Sequence, residues 1–512
     1  MKIISVDTMR EVDSETIRSG TPGFTLMERA GQGAFREMLA YLGRRLQAEH
    51  RRQFSVVVGK GNNGGDGYVM ARCIAEQAGL PVRVYSVCPV ADLRGEARAH
   101  AERLPPSIPL EVCGELPANA LTRGTVVVDA LLGTGISGAL RAPYDRIIGQ
   151  INRSGCAVVS VDVPSGLNAA DGEVATDAVT ADLTLTMAFP KPGLLTGQGT
   201  ACCGVLRCMD IGVPAALKDK APAVGEAVFL EDVAPLLGRR KQDGHKGLFG
   251  HVLVLGGSKL YGGAPVLAAE SALRVGCGLA TVAVPEHTVM ACSVPAALIV
   301  RRLDDAGSGF LCDKARIAPL TEAADVVVFG PGLGPAPDAD RILKSLLDGA
   351  LPVVVDADGL RLLASLPDVL PCASPAVILT PHPGEMRILL DGFGIGHMTS
   401  AGRTAQASAL AERTGAYVVL KGTASVLAAP DGRCALNTSG TVALATAGTG
   451  DVLAGILGGL VAGGMKPWDA LRAGVFLHGY CAEICPTNGR ALIADDVVKH
   501  VSLALSEITP FE

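Results

Sequence analysis

The sequence predicts an α/β protein of two domains, each a parallel sheet layered between helices. Three observations carry this. The chain has 512 residues, more than one hydrophobic core ordinarily serves. Short β-branched runs alternate with helical segments along most of it, and the runs are continuously apolar, as in strands buried on both faces. A poorly patterned, proline-bearing connector, residues 214–238, divides the series, which places the domains at 1–220 and 225–510.

Taken in order, Asp7 or Thr8 is expected to cap a first helix that Gly20 stops. After a Thr-Pro-Gly turn, Leu26, Ala30, Ala34 and Met38 recur at helical spacing. The runs FSVVVG, PVRVYSV, TVVVDALLG, CAVVSVDVP, ADLTLTMAF and GVLRCMDIGVP then read as strands. A second series follows the connector: GHVLVLGGS, LATVAV, DVVVFGPGLG, PVVVDADGL, AVILTPHPGE, AYVVLKGT and ASVLAAP. It closes in a helical block from Gly450 onward.

Composition narrows the function. A hydrophobic fraction of 48% with 19% charged residues and a mean hydropathy of +0.34 describes a globular chain on the apolar side. The 63 glycines imply many turns and closely packed helices. A net charge of -6, with no Lys/Arg stripe interleaved with aromatics, argues against nucleic acid. The uncharged stretch Val452–Met465 is shorter than the roughly 18 residues a membrane span needs and reads as a buried helix. The N-terminal stretch MKIISVDTMREVD has no apolar signal core. The 14 cysteines are scattered without a CxxC pair and read as small buried hydrophobes. A cytoplasmic, reduced protein is the expectation.

Three loops of the first half carry chemistry. In GKGNNGGDGYVMAR, Gly59–Arg72, glycines follow a strand and lead to a helix whose free N–H groups suit an anion. The helix is expected to start at Asp66, and the loop lacks the Lys-Ser/Thr of a triphosphate-cleaving loop. Gly133, Gly135 and Gly138 fall in G-x-G-x-x-G spacing after another strand, formally a dinucleotide fingerprint. VDVPSG follows a third. In a parallel sheet these strand ends share one crevice. Asp129 and Asp162 bring carboxylates there, and Asn63 and Ser165 bring neutral oxygens, a set that suits a hard cation.

The second half carries a sharper signal, AGTGDVLAG. Gly448 and Gly450 open a helix N-terminus suited to a phosphate, and Asp451 in the first turn can take a proton from a hydroxyl. LKGTASVLA reads as strand–turn–strand, offering Lys421, Thr423 and Ser425 to a nucleotide. TPHPGE holds His382 between two prolines in a rigid loop, and GPGLG allows close backbone approach.

GKGNNGGDG, DALLGTGISG and VDVPSGLNAADG together resemble the NAD(P)H-hydrate epimerase domain over about residues 1–215. The resemblance implies a Rossmann-like parallel sheet. It implies that Asn62, Asn63, Gly64, Gly65, Asp66, Gly133, Thr134, Gly135, Ile136, Ser137, Gly138, Ala139, Tyr144 and Asp162 bind hydrated NADH or NADPH. It also implies that Asn63, Asp129 and Ser165 hold a potassium ion, and it makes Asp162 a candidate acid/base group at C6 of the nicotinamide ring. HKGLFGHVLVLGGSKLYGGAPVLAAESALRVGCGL with GPGLG, TPHPGE, KGTAS and AGTGD is similar to the ADP/ATP-dependent NAD(P)H-hydrate dehydratases, of ribokinase-like fold, over about residues 225–505. That implies that Ala264, Gly332, Gly334, His382 and Asp451 touch the hydrate. It implies that Lys421, Gly422, Thr423, Ala424, Ser425 and Gly450 hold the nucleotide, ADP as co-substrate, with magnesium on its phosphates. Gly359 in DADGL departs from the DADAL of that family, a mild backbone change. The joint expectation is a bifunctional repair enzyme, a homo-oligomer of tetramer size or higher. Two rival readings stay open: a vitamin or sugar kinase of ribokinase-like fold fused to a nucleotide-binding module, and a non-enzymatic nucleotide sensor.

Overall fold

The computed structural model describes all residues except 46–52, 137, 239–242, 291–292, 312–313, 372–374, 487–489 and 510–512. The chain forms two compact units, Met1–Ala227 and Val228–Glu512.

In the first unit, strand β1 (Lys2–Ile3) precedes helices α1 (Val6–Arg18) and α2 (Gly23–Arg45). Then come β2 (Gln53–Val58), α3 (Asn62–Glu76), β3 (Val82–Ser86), α4 (Gly95–Ala101), β4 (Leu110–Val112), β5 (Thr125–Ala130), α5 (Tyr144–Arg153), β6 (Ala157–Val161), β7 (Leu183–Met187) and β8 (Val205–Met209). The seven strands lie in the order β4-β3-β2-β5-β6-β7-β8, all parallel. The chain winds outward from β2 in one direction and from β5 in the other, so the β2/β5 boundary is the topological switch point.

Alternate residues of one strand enter opposite cores. Val56 and Val58 of β2, with Val126 and Val128 of β5, pack under α2 and α3. Val57 and Val127 pack on the other face with Ile147, Ile148 and Ile151 of α5. Both faces are apolar, which is why the strands read as unbroken hydrophobic runs.

Three details differ from the sequence reading. Ser5, not Asp7 or Thr8, caps α1, its side chain accepting from Thr8 N at 3.0 Å. α3 begins at Asn62, so Asp66 sits in its second turn rather than at its start. The connector is not structureless: β9 (Gly225–Val228) pairs antiparallel with β1, Lys2 opposite Glu226, and carries the unit's end past residue 220.

The second unit runs β10 (His251–Leu255), α6 (Gly263–Val275), β11 (Leu279–Pro285), β12 (Ile299–Leu303), β13 (Val326–Phe329), β14 (Val353–Val355), β15 (Val377–Leu379), α7 (Pro383–Gly392), β16 (Tyr417–Leu420), β17 (Val426–Ala428), β18 (Cys434–Asn437), α8 (Thr449–Ala462) and α9 (Pro467–Ile484). Its strands lie in the order β18-β17-β16-β15-β14-β13-β10-β11-β12, parallel from β12 to β16 and antiparallel at β16-β17 and β17-β18. The switch point is β10/β13. Sequence reading missed β4, β12 and β18, which are short or exposed on one face. Val252 and Val254 face one core and Leu253 and Leu255 the other.

The glycines of LAGILGGLVAGGM serve packing. A Cβ on Gly455 would lie 1.9 Å from the Ala268 carbonyl of α6, and one on Gly458 2.7 Å from Val328 of β13. α8 is buried along most of its length between α6 and the sheet. Among the described residues, no helix is long and apolar enough to cross a membrane.

A tight turn of the first unit joins β2 to α3. A Cβ on Gly59 would lie 1.8 Å from the Leu131 carbonyl, and one on Gly64 2.1 Å from the Gly59 carbonyl. Backbone cannot yield there as a flexible side chain can, so Gly59→Ala is expected to destabilise the first unit by at least about 2 kcal/mol. Urea unfolding followed by amide exchange of β2 and β5 checks this, with the second unit's transition as internal reference.

Candidate active sites

At the first switch point the pairing of Val58 with Ala130 brings the start of α3 level with the loop after β5. A cavity of about 540 Å³ opens there, lined among others by Asn62, Asn63, Asp66, Gly133, Thr134, Gly135, Ile136, Tyr144 and Asp162. These are the expected nucleotide-binding residues brought together. Gly64 and Gly65 are not on its wall. They are helix backbone packed close to Gly59 and to the Met27 sulfur. Gly138 and Ala139 are off the wall too, and Ser137 lies outside the described residues. Among the described residues of 133–138 no helix opens, and α5 begins at Tyr144, so the G-x-G-x-x-G spacing here is not a helix-opening turn.

Asp162 follows β6 with φ 63, in the left-handed region that costs a non-glycine residue energy. Its Oδ1 accepts from Lys191 Nζ at 2.6 Å, Thr186 Oγ1 at 3.2 Å and Met187 N at 3.2 Å. Its Oδ2 faces the Gly133 turn, 3.9 Å from where a Gly133 Cβ would stand. Lys191 is 1% exposed and also donates to Thr186 Oγ1 and the Met187 carbonyl. Asp66 and Asp13 add carboxyls on the α3 and α1 sides. Burial first, then the Asp162 and Asp13 charges, push the Asp66 carboxyl well above the usual range against the opposing pull of Lys191. Asp13 is raised to about 6, chiefly by burial. The sequence reading missed Lys191 and Asp13. The signal for Lys191 was a lone charge between two prolines in the apolar stretch AFPKPGLL.

Asp129 and Ser165 lie beneath the cavity rather than on its wall. The buried Asp129 carboxylate accepts from Ser165 Oγ at 2.6 Å, Ser165 N at 2.9 Å and Ser160 Oγ at 2.8 Å. Burial nonetheless raises its pKa. Asn63 donates Nδ2 to the Leu132 carbonyl at 2.8 Å, which leaves its Oδ1 buried without a partner.

In the second unit, Ala264 and the GPGLG loop flank the β10/β13 switch point. A Cβ on Gly332 (φ 67) would lie 3.3 Å from the Ala264 Cβ. Ser258 Oγ donates to the Gly332 carbonyl at 3.0 Å, and Gly334 N donates to Asp358 Oδ2 at 2.9 Å. The paired ends of β14 and β15 place Asp356 beside Thr380, and Lys421, two residues past that register after β16, reaches the same point with its side chain. Thr380 Oγ1 donates to Asp356 Oδ1 at 2.7 Å and Lys421 Nζ to the same oxygen at 2.8 Å. Gly450 lies over this pair, where a Cβ would stand 3.3 Å from Lys421 Nζ. Burial works against the Lys421 charge, but Asp356, Glu385 and Asp451 outweigh it and raise its pKa. Asp451, in the first turn of α8, is pushed up to about 7 by burial and by Asp356, with Lys421 opposing.

The turn Lys421, Gly422, Thr423, Ala424, Ser425 is held from behind. Ser425 Oγ donates to the Gly422 carbonyl at 3.0 Å, and the Arg403 guanidinium donates to the carbonyls of Leu420 and Thr423. Ala424 has φ 48, a conformation this turn imposes. His478, buried in α9, donates Nε2–H to the Thr449 carbonyl at 2.9 Å and fixes the start of α8. Burial pushes its pKa down to about 4, which keeps it neutral. Arg403, His478, Asp356, Asp358 and Glu385 all escaped sequence reading, since each acts through contacts distant in the chain.

His382 does not sit in a free loop. It is the N-cap of α7: its Nδ1 accepts from Gly384 N at 3.0 Å and Glu385 N at 3.2 Å, while Glu385 returns a bond to His382 N. The ring nitrogen is occupied, leaving Nε2 as its donor. His382→Ala is expected to cost about 1 kcal/mol of second-unit stability, with His382→Asp recovering most of it, as thermal unfolding checks.

Both units have relatives among known proteins. A family model described as NAD(P)H-hydrate dehydratase matches residues 252–502, and one described as YjeF-related protein N-terminus matches residues 23–193. The bifunctional NAD(P)H-hydrate repair enzyme Nnr of Coxiella burnetii is 38% identical over 502 residues, covering 97% of this chain and 98% of that one. The protein of the same name from Thermofilum pendens is 37% identical over 494 residues, covering 94% and 92%. Among solved structures, the ADP/ATP-dependent NAD(P)H-hydrate dehydratase from Bacillus subtilis, co-crystallised with ATP/Mg2+, is 30% identical and covers 56% of this chain and 99% of that one, with a TM-score of 0.49. At such identity over nearly its whole length, the chain belongs to the family of bifunctional NAD(P)H-hydrate repair enzymes.

Proposed function

We propose that each unit performs one step of nicotinamide nucleotide repair. The first interconverts the R and S epimers of hydrated NADH and NADPH. The second returns the S epimer to NAD(P)H at the expense of ADP, which leaves as AMP and phosphate. The observation that carries the second step is Asp451: a carboxyl with a pKa near 7, at a helix N-terminus, beside a lysine already clamped by Asp356.

The C6 hydroxyl of the hydrate is a poor leaving group. Asp451 takes its proton as the oxygen attacks the terminal phosphate of ADP. The N–H groups at the start of α8 meet the charge that grows on the phosphoryl oxygens, and Lys421 supplies the countercharge. The C6 phosphoester then eliminates with loss of the C5 proton, which restores the dihydronicotinamide ring. The Lys421–Ser425 turn and Gly450 hold the nucleotide, and Ala264, Gly332 and Gly334 face the hydrate. Among the described residues, no three His, Cys, Asp or Glu side chains form a metal cage, so magnesium is read as arriving on the nucleotide phosphates.

In the first unit the buried, unpartnered Asn63 Oδ1, with the Asp129 and Ser165 oxygens, fits an all-oxygen potassium site. Potassium there would offset the Asp129 charge and tie the start of α3 to the loop after β5. The first unit should therefore melt at higher temperature in potassium chloride than in choline chloride, and Asn63→Ala should abolish the difference in a thermal scan.

Mixed epimers of hydrated NADH, supplied with ADP, magnesium and potassium, should recover their absorbance at 340 nm completely. A stable phosphorylated product with no recovery would transfer the site to the kinase reading. Since Asp451 must be ionised to act, the dehydration rate should rise with pH through about 7 and then level off. Asp451→Asn should lower kcat at least about 100-fold and flatten that limb.

A further inference from the structure

The first-unit cavity is lined by four carboxyl residues, Asp13, Asp66, Glu96 and Asp162, and by one buried ammonium, Lys191. The lysine is not shared evenly. Its hydrogen bonds go to Asp162 Oδ1, Thr186 Oγ1 and the Met187 carbonyl. The ammonium and two further donors all clamp one oxygen of Asp162, and its second oxygen is left facing the cavity at the Gly133 turn. Asp66 stands on the α3 side of the same cavity, 9% exposed, with no cation bonded to it and two carboxylates in its field. Two negative charges facing one another in a buried space cannot both persist when a single cation is committed to one of them. The other charged groups of the wall, Arg10, Lys60 and Glu96, sit at its partly or fully exposed rim.

We propose that Asp66 is the general acid and Asp162 the general base of the epimerisation, with Lys191 as the positioning residue that decides which is which. This rests on the epimerase reading of the first unit. Asp66 delivers its proton to the C6 hydroxyl. The C6–O bond breaks, its electron pair leaves with water, and the N1 lone pair forms an N1=C6 double bond. A second water then adds to the opposite face of C6. Its proton goes to Asp162, and the N1=C6 pair returns to nitrogen. The reverse reaction exchanges the roles, and protonation resets through solvent. One acid and one base on a single cavity is what inversion at one carbon requires, and the buried lysine is bonded to only one of the two carboxyls.

The test uses the full chain without ADP, so that dehydration is silent, and follows formation of the S epimer from the R epimer of hydrated NADH by chromatography across pH, corrected for spontaneous exchange. The wild type should give a bell-shaped kcat/KM profile. Asp66→Asn should lose at least about 100-fold in kcat with KM within about threefold, and should lose the basic limb. Asp66→Glu should restore activity to within about tenfold. Asp162→Asn should instead lose the acidic limb. Lys191→Met should displace the acidic limb to higher pH, and Lys191→Arg should return it. A smaller loss in Asp66→Asn, or loss of the acidic limb there, overturns the assignment. Should Asp66→Asn not fold, Asp162→Asn decides, and retention of its acidic limb overturns it. A wild-type protein that leaves the R epimer unchanged overturns the epimerase reading itself, a result distinct from either.

Discussion

Each unit is organised around one lysine ammonium held among a surplus of carboxylates. Lys191 donates to Asp162 at 2.6 Å, and Lys421 donates to Asp356 at 2.8 Å. Such a pair gains little net stability when intact, yet removing one partner from a buried pair costs about 3–5 kcal/mol, because the remaining charge is stranded. The two pairs also decide protonation around them. In each site the lysine bonds one carboxylate, and a second, short of a cation of its own, has its pKa raised by burial first and by neighbouring carboxylates next: Asp66 in the first unit and Asp451 in the second. The chemistry assigned to both sites follows from that shortage of positive charge.

The sheets decide where the shortage is placed. In both units the chain winds away from a central strand pair in opposite directions, β2/β5 and β10/β13, and opens a crevice at their carboxyl ends. Register then does the fine work. Val58 opposite Ala130 levels α3 with the Gly133 loop, and the paired ends of β14 and β15 put Asp356 beside Thr380, where the side chain of Lys421, two residues further on after β16, meets them. Glycines permit the close approaches. Gly59 and Gly64 fold the first turn upon itself, and Gly455 and Gly458 let α8 sink between α6 and the sheet, which brings its N-terminus and Asp451 to the crevice floor.

Much of this was legible in the sequence. Unbroken β-branched runs mark strands covered on both faces, a local pattern that survives without knowledge of their partners. Glycine-rich strand ends mark sites, because only a backbone that must approach something closely needs them. Asp162, Asp451 and Lys421 were visible for that reason. Misreadings arose where a local pattern has two physical uses. G-x-G-x-x-G spacing at Gly133 suits a helix-opening turn, but here no helix follows until Tyr144. Asn-Gly-Gly-Asp suits a flexible loop, but it is helix from its first residue, and its glycines answer to Gly59 and Met27 across the turn.

The sequence by itself determined the class of fold, the two families of motif and the loops that carry the chemistry, because hydrophobic periodicity and glycine placement are properties of neighbouring residues. Tertiary structure alone decided which charges meet. Lys191 lies far from Asp66 and Asp13 in the chain, and Lys421 lies 65 residues from Asp356. Burial and proximity set the proton affinities of these carboxyls, and both quantities exist only once the strands have been brought into register.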